Sequence, residues 1–127
     1  MALFDTPALS ALFGPRSRAE APVAGYLPLG PSGALLPVSG QIDRLAVTDD
    51  AVWIADYKTA AVPPADPQDV RDTYVAQLAV YRALVARLYP GLPVRCLLVW
   101  TSGPVLAEIP AARLDAALAA IAASAVG

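Results

Sequence analysis

The segment from Ala34 to Lys58 constrains the fold more than any other part of the chain. Ala34 to Val47 has a strand-like pattern, and Ala51 to Lys58 is rich in Val, Trp, Ile and Tyr, which favour a pleated, half-buried surface. Thr48-Asp49-Asp50 between them signals a hairpin turn. If Asp49-Asp50 form a two-residue turn, Thr48 faces Ala51 and the register of the whole hairpin follows. Asp43 then stands directly across from Asp56, with Cβ atoms roughly 4.5–5.5 Å apart on one face.

Alternation assigns that face. Asp43, Leu45 and Val47 point one way, and so do Val52, Ile54, Asp56 and Lys58. The turn end of the face is apolar, while its far end carries two carboxylates and an ammonium. Opposed like charges destabilise a sheet unless something neutralises them. Lys58 supplies one positive charge, and a divalent cation would supply the rest. Carboxylate oxygens suit Mg²⁺, which keeps several waters and typically takes one or two protein carboxylates. Such an ion polarises a phosphoryl oxygen and acidifies a bound water. Lys58 would orient that water and stabilise negative charge building on the phosphate. It is also the only lysine, in a chain whose other basic residues are all arginine. The alternative for Asp43, Asp56 and Lys58 is a surface ion pair at a strand end.

Around this hairpin the pattern predicts further elements. Asp5-Thr6-Pro7 opens a short helix that stops at Gly14-Pro15. Glu20 to Leu27 is a first strand, and Gly30-Pro31-Ser32-Gly33 a turn. Ala60 to Pro67 is a proline-rich loop. Val70, Tyr74, Gln77-Leu78, Tyr81, Leu84-Val85 and Leu88 recur at helical spacing, predicting a helix from Gln68 to Tyr89 that Pro90-Gly91 ends. Val94 to Thr101 is a continuous apolar strand, a central one by its composition, Val105 to Ile109 a shorter one, and Pro110 opens the last helix. The order α-β-β-β-α-β-β-α describes an α/β chain, a mixed central β-sheet flanked by helices, forming a single domain over residues 1–127.

Gln77 and Tyr81 are one helical turn apart, with Tyr74 on the same side. Gln77 interrupts an apolar stripe, and a buried amide needs partners. Either the helix aims this pair at the carboxylates, or the pair is core-edge packing. Glu20 either reaches the cation or is a solvated strand-edge charge. Arg44 points away from Asp43, which suits helix packing or an ion pair. Trp53 and Trp100 read as core, and Cys96 as a buried, inert thiol.

Composition narrows the chemistry. With 57% hydrophobic and 16% charged residues, a core is readily built. The net charge of −2 provides no basic footprint for a nucleic-acid backbone, so a strand would have to be delivered by other protein or be bound weakly. Histidine is absent, which leaves hydrolysis to carboxylates, a lysine and a hard metal ion. No apolar run reaches the roughly 18 residues of a membrane span. The N-terminus has no secretory pattern, so a cytoplasmic protein without membrane contact is expected.

Three stretches together carry a family resemblance: Ser39-Gly40-Gln41-Ile42-Asp43-Arg44-Leu45, Ile54-Ala55-Asp56-Tyr57-Lys58-Thr59 and Gln77-Leu78-Ala79-Val80-Tyr81. They resemble the nuclease motifs of RecB-type enzymes of the PD-(D/E)xK superfamily. With Ser17-Arg18-Ala19-Glu20 and Tyr89-Pro90-Gly91 included, the chain looks closer still to the C-terminal region of AddA-type helicase–nuclease subunits. The resemblance implies a restriction-endonuclease-like core and a metal-dependent deoxyribonuclease, an exonuclease rather than an endonuclease, that trims DNA at double-strand breaks during recombinational repair. It implies Asp43 and Asp56 as ligands of Mg²⁺, with Mn²⁺ able to substitute. Tyr57 would lend its backbone carbonyl to the metal, Lys58 would be the catalytic lysine, and Gln77 and Tyr81 the helix motif. Glu20 is kept as a further ligand because some branches use an acid on the first strand. DNA, a helicase portion and a partner nuclease or helicase subunit are the implied partners. Ile42 stands where the superfamily's name has proline, and the family's upstream histidine is missing, as is any GxxxxGK[ST] loop. The expectation is therefore a truncated relative, active alone or kept as a non-catalytic DNA-end or protein-binding scaffold of a larger complex.

Overall fold

The computed structural model describes residues 14–58, 70–100 and 105–124. The helix expected from Asp5 and the loop expected from Ala60 to Pro67 lie outside them. Five strands, β1 (Ser17–Leu27), β2 (Leu36–Val47), β3 (Val52–Lys58), β4 (Val94–Trp100) and β5 (Val105–Ile109), form one sheet in the order β1-β2-β3-β4-β5. β3 and β4 run parallel and the other neighbours antiparallel, so the sheet is mixed as expected. Parallel neighbours need a crossover, and helix α1 (Asp72–Leu88) supplies it. Helix α2 (Ala111–Ser124) follows β5.

The hairpin register is the one the two-residue turn dictates. Val47 pairs with Val52, Leu45 with Ile54 and Arg44 with Ala55. Thr48 N–H donates to the Ala51 carbonyl at 2.9 Å, and the Thr48 hydroxyl accepts from Ala51 N–H at 3.1 Å. The threonine thus closes the turn with backbone and side chain together.

One face of the sheet meets the helices. Leu45, Val52, Ile54, Cys96, Leu98 and Trp100 pack there against Val75, Leu78, Leu84 and Val85 of α1 and Leu114 of α2. The other face gathers Ala46, Trp53, Ala55, Leu97 and Val99 into a second, smaller cluster. β4 contributes to both, which explains its unbroken apolar run. Both tryptophans are core, as expected, and the Arg95 guanidinium lies 4.2 Å from the Trp53 ring. Cys96 is fully buried, and burial pushes its thiol up to about 12, so it stays protonated and inert.

Two features depart from the sequence pattern. Ile42 joins the same core as Leu45, although strict alternation puts them on opposite faces. β2 changes phase between them, and β1 is irregular at the matching place, where Glu20 adopts φ 51° between the pairs Ala19–Arg44 and Ala21–Ile42. Helix α1 also starts later than its apolar spacing suggests. Arg71 is extended, at φ −60° and ψ 138°, and the buried Val70 sends its carbonyl to Arg113 Nη2 of α2 at 2.5 Å instead of into a helical ladder. Among the described residues no helix is long and apolar enough to cross a membrane.

Gly40 is required by the seat of α1 on β2. A Cβ there would come within 2.6 Å of Tyr81 Cε1 and Oη, so the half-buried ring would have to shift. Gly40→Ala is expected to cost about 1–3 kcal/mol of stability. Denaturant unfolding should show a smaller cost in a Tyr81→Ala background; an equal cost in both backgrounds would refute the contact.

Candidate active site

Beyond the Arg44–Ala55 pair the β2–β3 ladder stops, and the chain needs another acceptor for the next inward-facing N–H of β3. Asp43 provides it: its Oδ2 accepts from Tyr57 N–H at 2.8 Å. A side chain thus replaces a backbone rung, and this holds the Asp43 carboxyl beside residues 56 to 58. Asp56 and Lys58 follow Val52 and Ile54 in alternation and emerge at the rim of the helix-covered face.

Asp56 and Lys58 form a close pair. Lys58 Nζ lies 2.5 Å from Asp56 Oδ2, and each side chain is only 16% exposed. Oδ2 is buried, and the Lys58 ammonium is the partner it has there. Burial raises the Asp56 carboxyl above its ordinary 3.8; Lys58 opposes the rise, and the neighbouring Asp43 carboxyl adds to it by hydrogen bonding and charge. Burial likewise pushes the Tyr57 phenol up, with Arg44 opposing and Asp43 reinforcing. The two acids of the hairpin therefore share one locale, as the register requires.

The remaining candidates divide. Tyr74, in the first turn of α1, places its ring 4.0 Å from Lys58 Nζ. This contact was not foreseen; the only hint is that Tyr74 precedes Gln77 by one turn. Gln77 is exposed, not a buried amide, because the buried stripe of α1 runs through Val75, Leu78 and Ala79 and passes it by. Its Nε2 donates to the Tyr81 hydroxyl at 3.3 Å. The Tyr81 ring rests on Gly40, three residues before Asp43 and so roughly 10 Å along an extended strand. The hydrogen bond seen for the pair is therefore internal to α1, and neither side chain bonds to Asp43 or Asp56 among the described residues. Glu20 is exposed, and its backbone carbonyl accepts from Gln41 Nε2 at 3.3 Å. Although it falls opposite Asp43 in register, it joins no three-acid group, since no cluster of three or more metal-ligating side chains occurs among the described residues. The Tyr57 backbone is at the site through its N–H.

A mixed sheet whose crossover helix covers one face, with an acid on one strand and Asp-x-Lys on the next, defines a recognisable class. The chain belongs to the PD-(D/E)XK nuclease superfamily, whose family description matches residues 8–124. The crystal structure of SSO0001 is similar over 85% of this chain with a TM-score of 0.51 and 13% identity, a likeness of fold alone. The chain spans 50% of that protein's length. No curated protein sequence matches it.

The raised Asp56 carboxyl has a consequence for stability. An aspartate whose folded-state value lies above its unfolded one favours folding at low pH and loses that contribution as pH rises through the folded value. Asp56 therefore works against the fold at pH 7. Thermal unfolding of Asp56→Asn should show a higher midpoint than wild type at pH 7, with the gain fading as pH falls through the raised folded value and gone once pH is below the ordinary 3.8. A variant that melts no higher at pH 7 would contradict the burial argument.

Proposed function

We propose that this chain is the Mg²⁺-dependent nuclease domain of a RecB-type, AddA-like helicase–nuclease, cutting DNA phosphodiesters as an exonuclease in cytoplasmic double-strand-break repair. The observation that carries the reading is the placing of Asp43 beside Asp56 at the rim of the sheet, where two carboxyls are held close and the Lys58 ammonium lies 2.5 Å from Asp56 Oδ2. Two carboxylates, with no third acid grouped with them among the described residues, suit a hard ion that keeps several waters. Mn²⁺ fits the same donors.

Asp43 and Asp56 would hold the ion, with the Tyr57 carbonyl as the backbone ligand. When bound, a divalent cation supplies Lewis acidity and an acidified water. The Tyr57 N–H bond fixes Asp43 through Oδ2, which leaves its other oxygen for the ion. Lys58, relieved of Asp56, donates to the attacking water or to a non-bridging phosphate oxygen, and its charge offsets the negative charge that grows as the water oxygen bonds phosphorus and the sugar oxygen departs. Gln77 and Tyr81, exposed and half-buried on α1, would meet the strand rather than the reacting atoms.

The net charge of −2 supports a division of labour, in which a helicase portion and a partner subunit hold the DNA and this domain cuts it. A non-catalytic scaffold on the same fold is the competing reading. Cleavage of single- and double-stranded DNA in Mg²⁺ decides between them. Wild type should cut, Lys58→Ala should fall by at least roughly 100-fold, and Asp43→Asn should lose metal-dependent cleavage while keeping its fold by circular dichroism. Cleavage retained in Asp43→Asn would remove that residue from the mechanism, and no cleavage by wild type would favour the scaffold.

A further inference from the structure

Among the described residues the Lys58 ammonium meets a carboxylate, Asp56, and an aromatic face, Tyr74, and only the second would stay with it during the proposed reaction. Asp56 must give its oxygens to a cation, and a divalent ion there repels the ammonium it replaces. A lysine is a compact charge on a flexible stem, and nothing in the stem itself holds the charge at the site. The other neighbour is the Tyr74 ring, 4.0 Å from Nζ to its centroid, inside the range of cation–π attraction. The Lys58 side chain is only 16% exposed, which strengthens that attraction relative to a surface pair.

We propose that Tyr74 is a positioning residue whose ring seats the Lys58 ammonium and keeps it in place when Asp56 turns to a metal ion. The proposal rests on the nuclease reading for its role but not for its geometry. An aromatic face suits the task better than a third carboxylate, since it attracts the ammonium without offering an anionic oxygen that would compete for the ion. The ring is half-buried and packs against the main hydrophobic core, to which Val70 and Val75 belong. The Arg71 guanidinium lies 6.0 Å from the same ring.

Because Lys58 is the only lysine, ¹³C-lysine labelling of the whole chain gives a single ε-CH₂ NMR signal. Lying over a ring, that signal should be displaced upfield in wild type and stay displaced when MgCl₂ is added. Tyr74→Phe should preserve the displacement and Tyr74→Leu abolish it. An undisplaced signal in wild type, one that Tyr74→Leu leaves unchanged, or one that MgCl₂ returns to the solvent-exposed position would each overturn the proposal. The wild-type spectrum decides even if Tyr74→Leu does not fold. In the DNA-cleavage assay Tyr74→Leu should lower kcat about tenfold with KM unchanged, and Tyr74→Phe should stay within about twofold of wild type. A loss carried by KM, or an equal loss in Tyr74→Phe, would overturn it too. Absence of cleavage by wild type would defeat the nuclease reading, while the NMR signal would still decide where Lys58 sits.

Discussion

At the end of the β2–β3 ladder a side chain takes over from the backbone, and the character of the site follows from that substitution. Tyr57 N–H would have no acceptor once the strands part, and Asp43 Oδ2 receives it at 2.8 Å. A charged acceptor makes this bond stronger than the backbone rung it replaces. It also holds the Asp43 carboxyl beside Asp56, with which it interacts by hydrogen bonding and charge. Removing the bond would free the acid from its neighbour as well as the strand end.

The electrostatic tension at Asp56 is a consequence. Burial and a second acid both disfavour its charge, and a single ammonium only partly compensates. Such an arrangement is costly in a resting protein and useful where a cation is to be admitted, because the ion relieves what the fold has stored. The aromatic face of Tyr74 fits the same logic, since it holds a positive charge without consuming a ligand. Elsewhere the charges are conventional: Arg95 grips Glu108 through two bonds of 2.7 and 2.6 Å, and Arg82 ties α1 to Asp115 of α2 at 2.6 Å.

The hairpin register was legible in the sequence because a two-residue turn leaves no freedom once its position is known, and Thr48-Asp49-Asp50 marks that position. The mixed sheet and the crossover helix were legible from periodicity. The phase change between Ile42 and Leu45 was not, since nothing in the residues of β2 announces it; it depends on Glu20 of β1, an ordinary acid by type, adopting a left-handed backbone conformation. The late start of α1 was hidden because Val70 is buried as a helical residue would be, yet Arg113, 43 positions away, captures its carbonyl. Gln77 looked buried because it lies between apolar residues in sequence, whereas the helix turns it outward. The Lys58–Tyr74 contact depends on how α1 sits over the sheet, which spacing along one helix does not reveal.

The central claim is that Asp43 and Asp56 together hold one divalent ion. Anomalous diffraction from crystals grown with MnCl₂ tests it most directly. The account predicts a single strong anomalous peak between the two carboxylates, with Lys58 Nζ displaced from Asp56 Oδ2. A peak that contacts only one of these acids, or none at the hairpin, would contradict it.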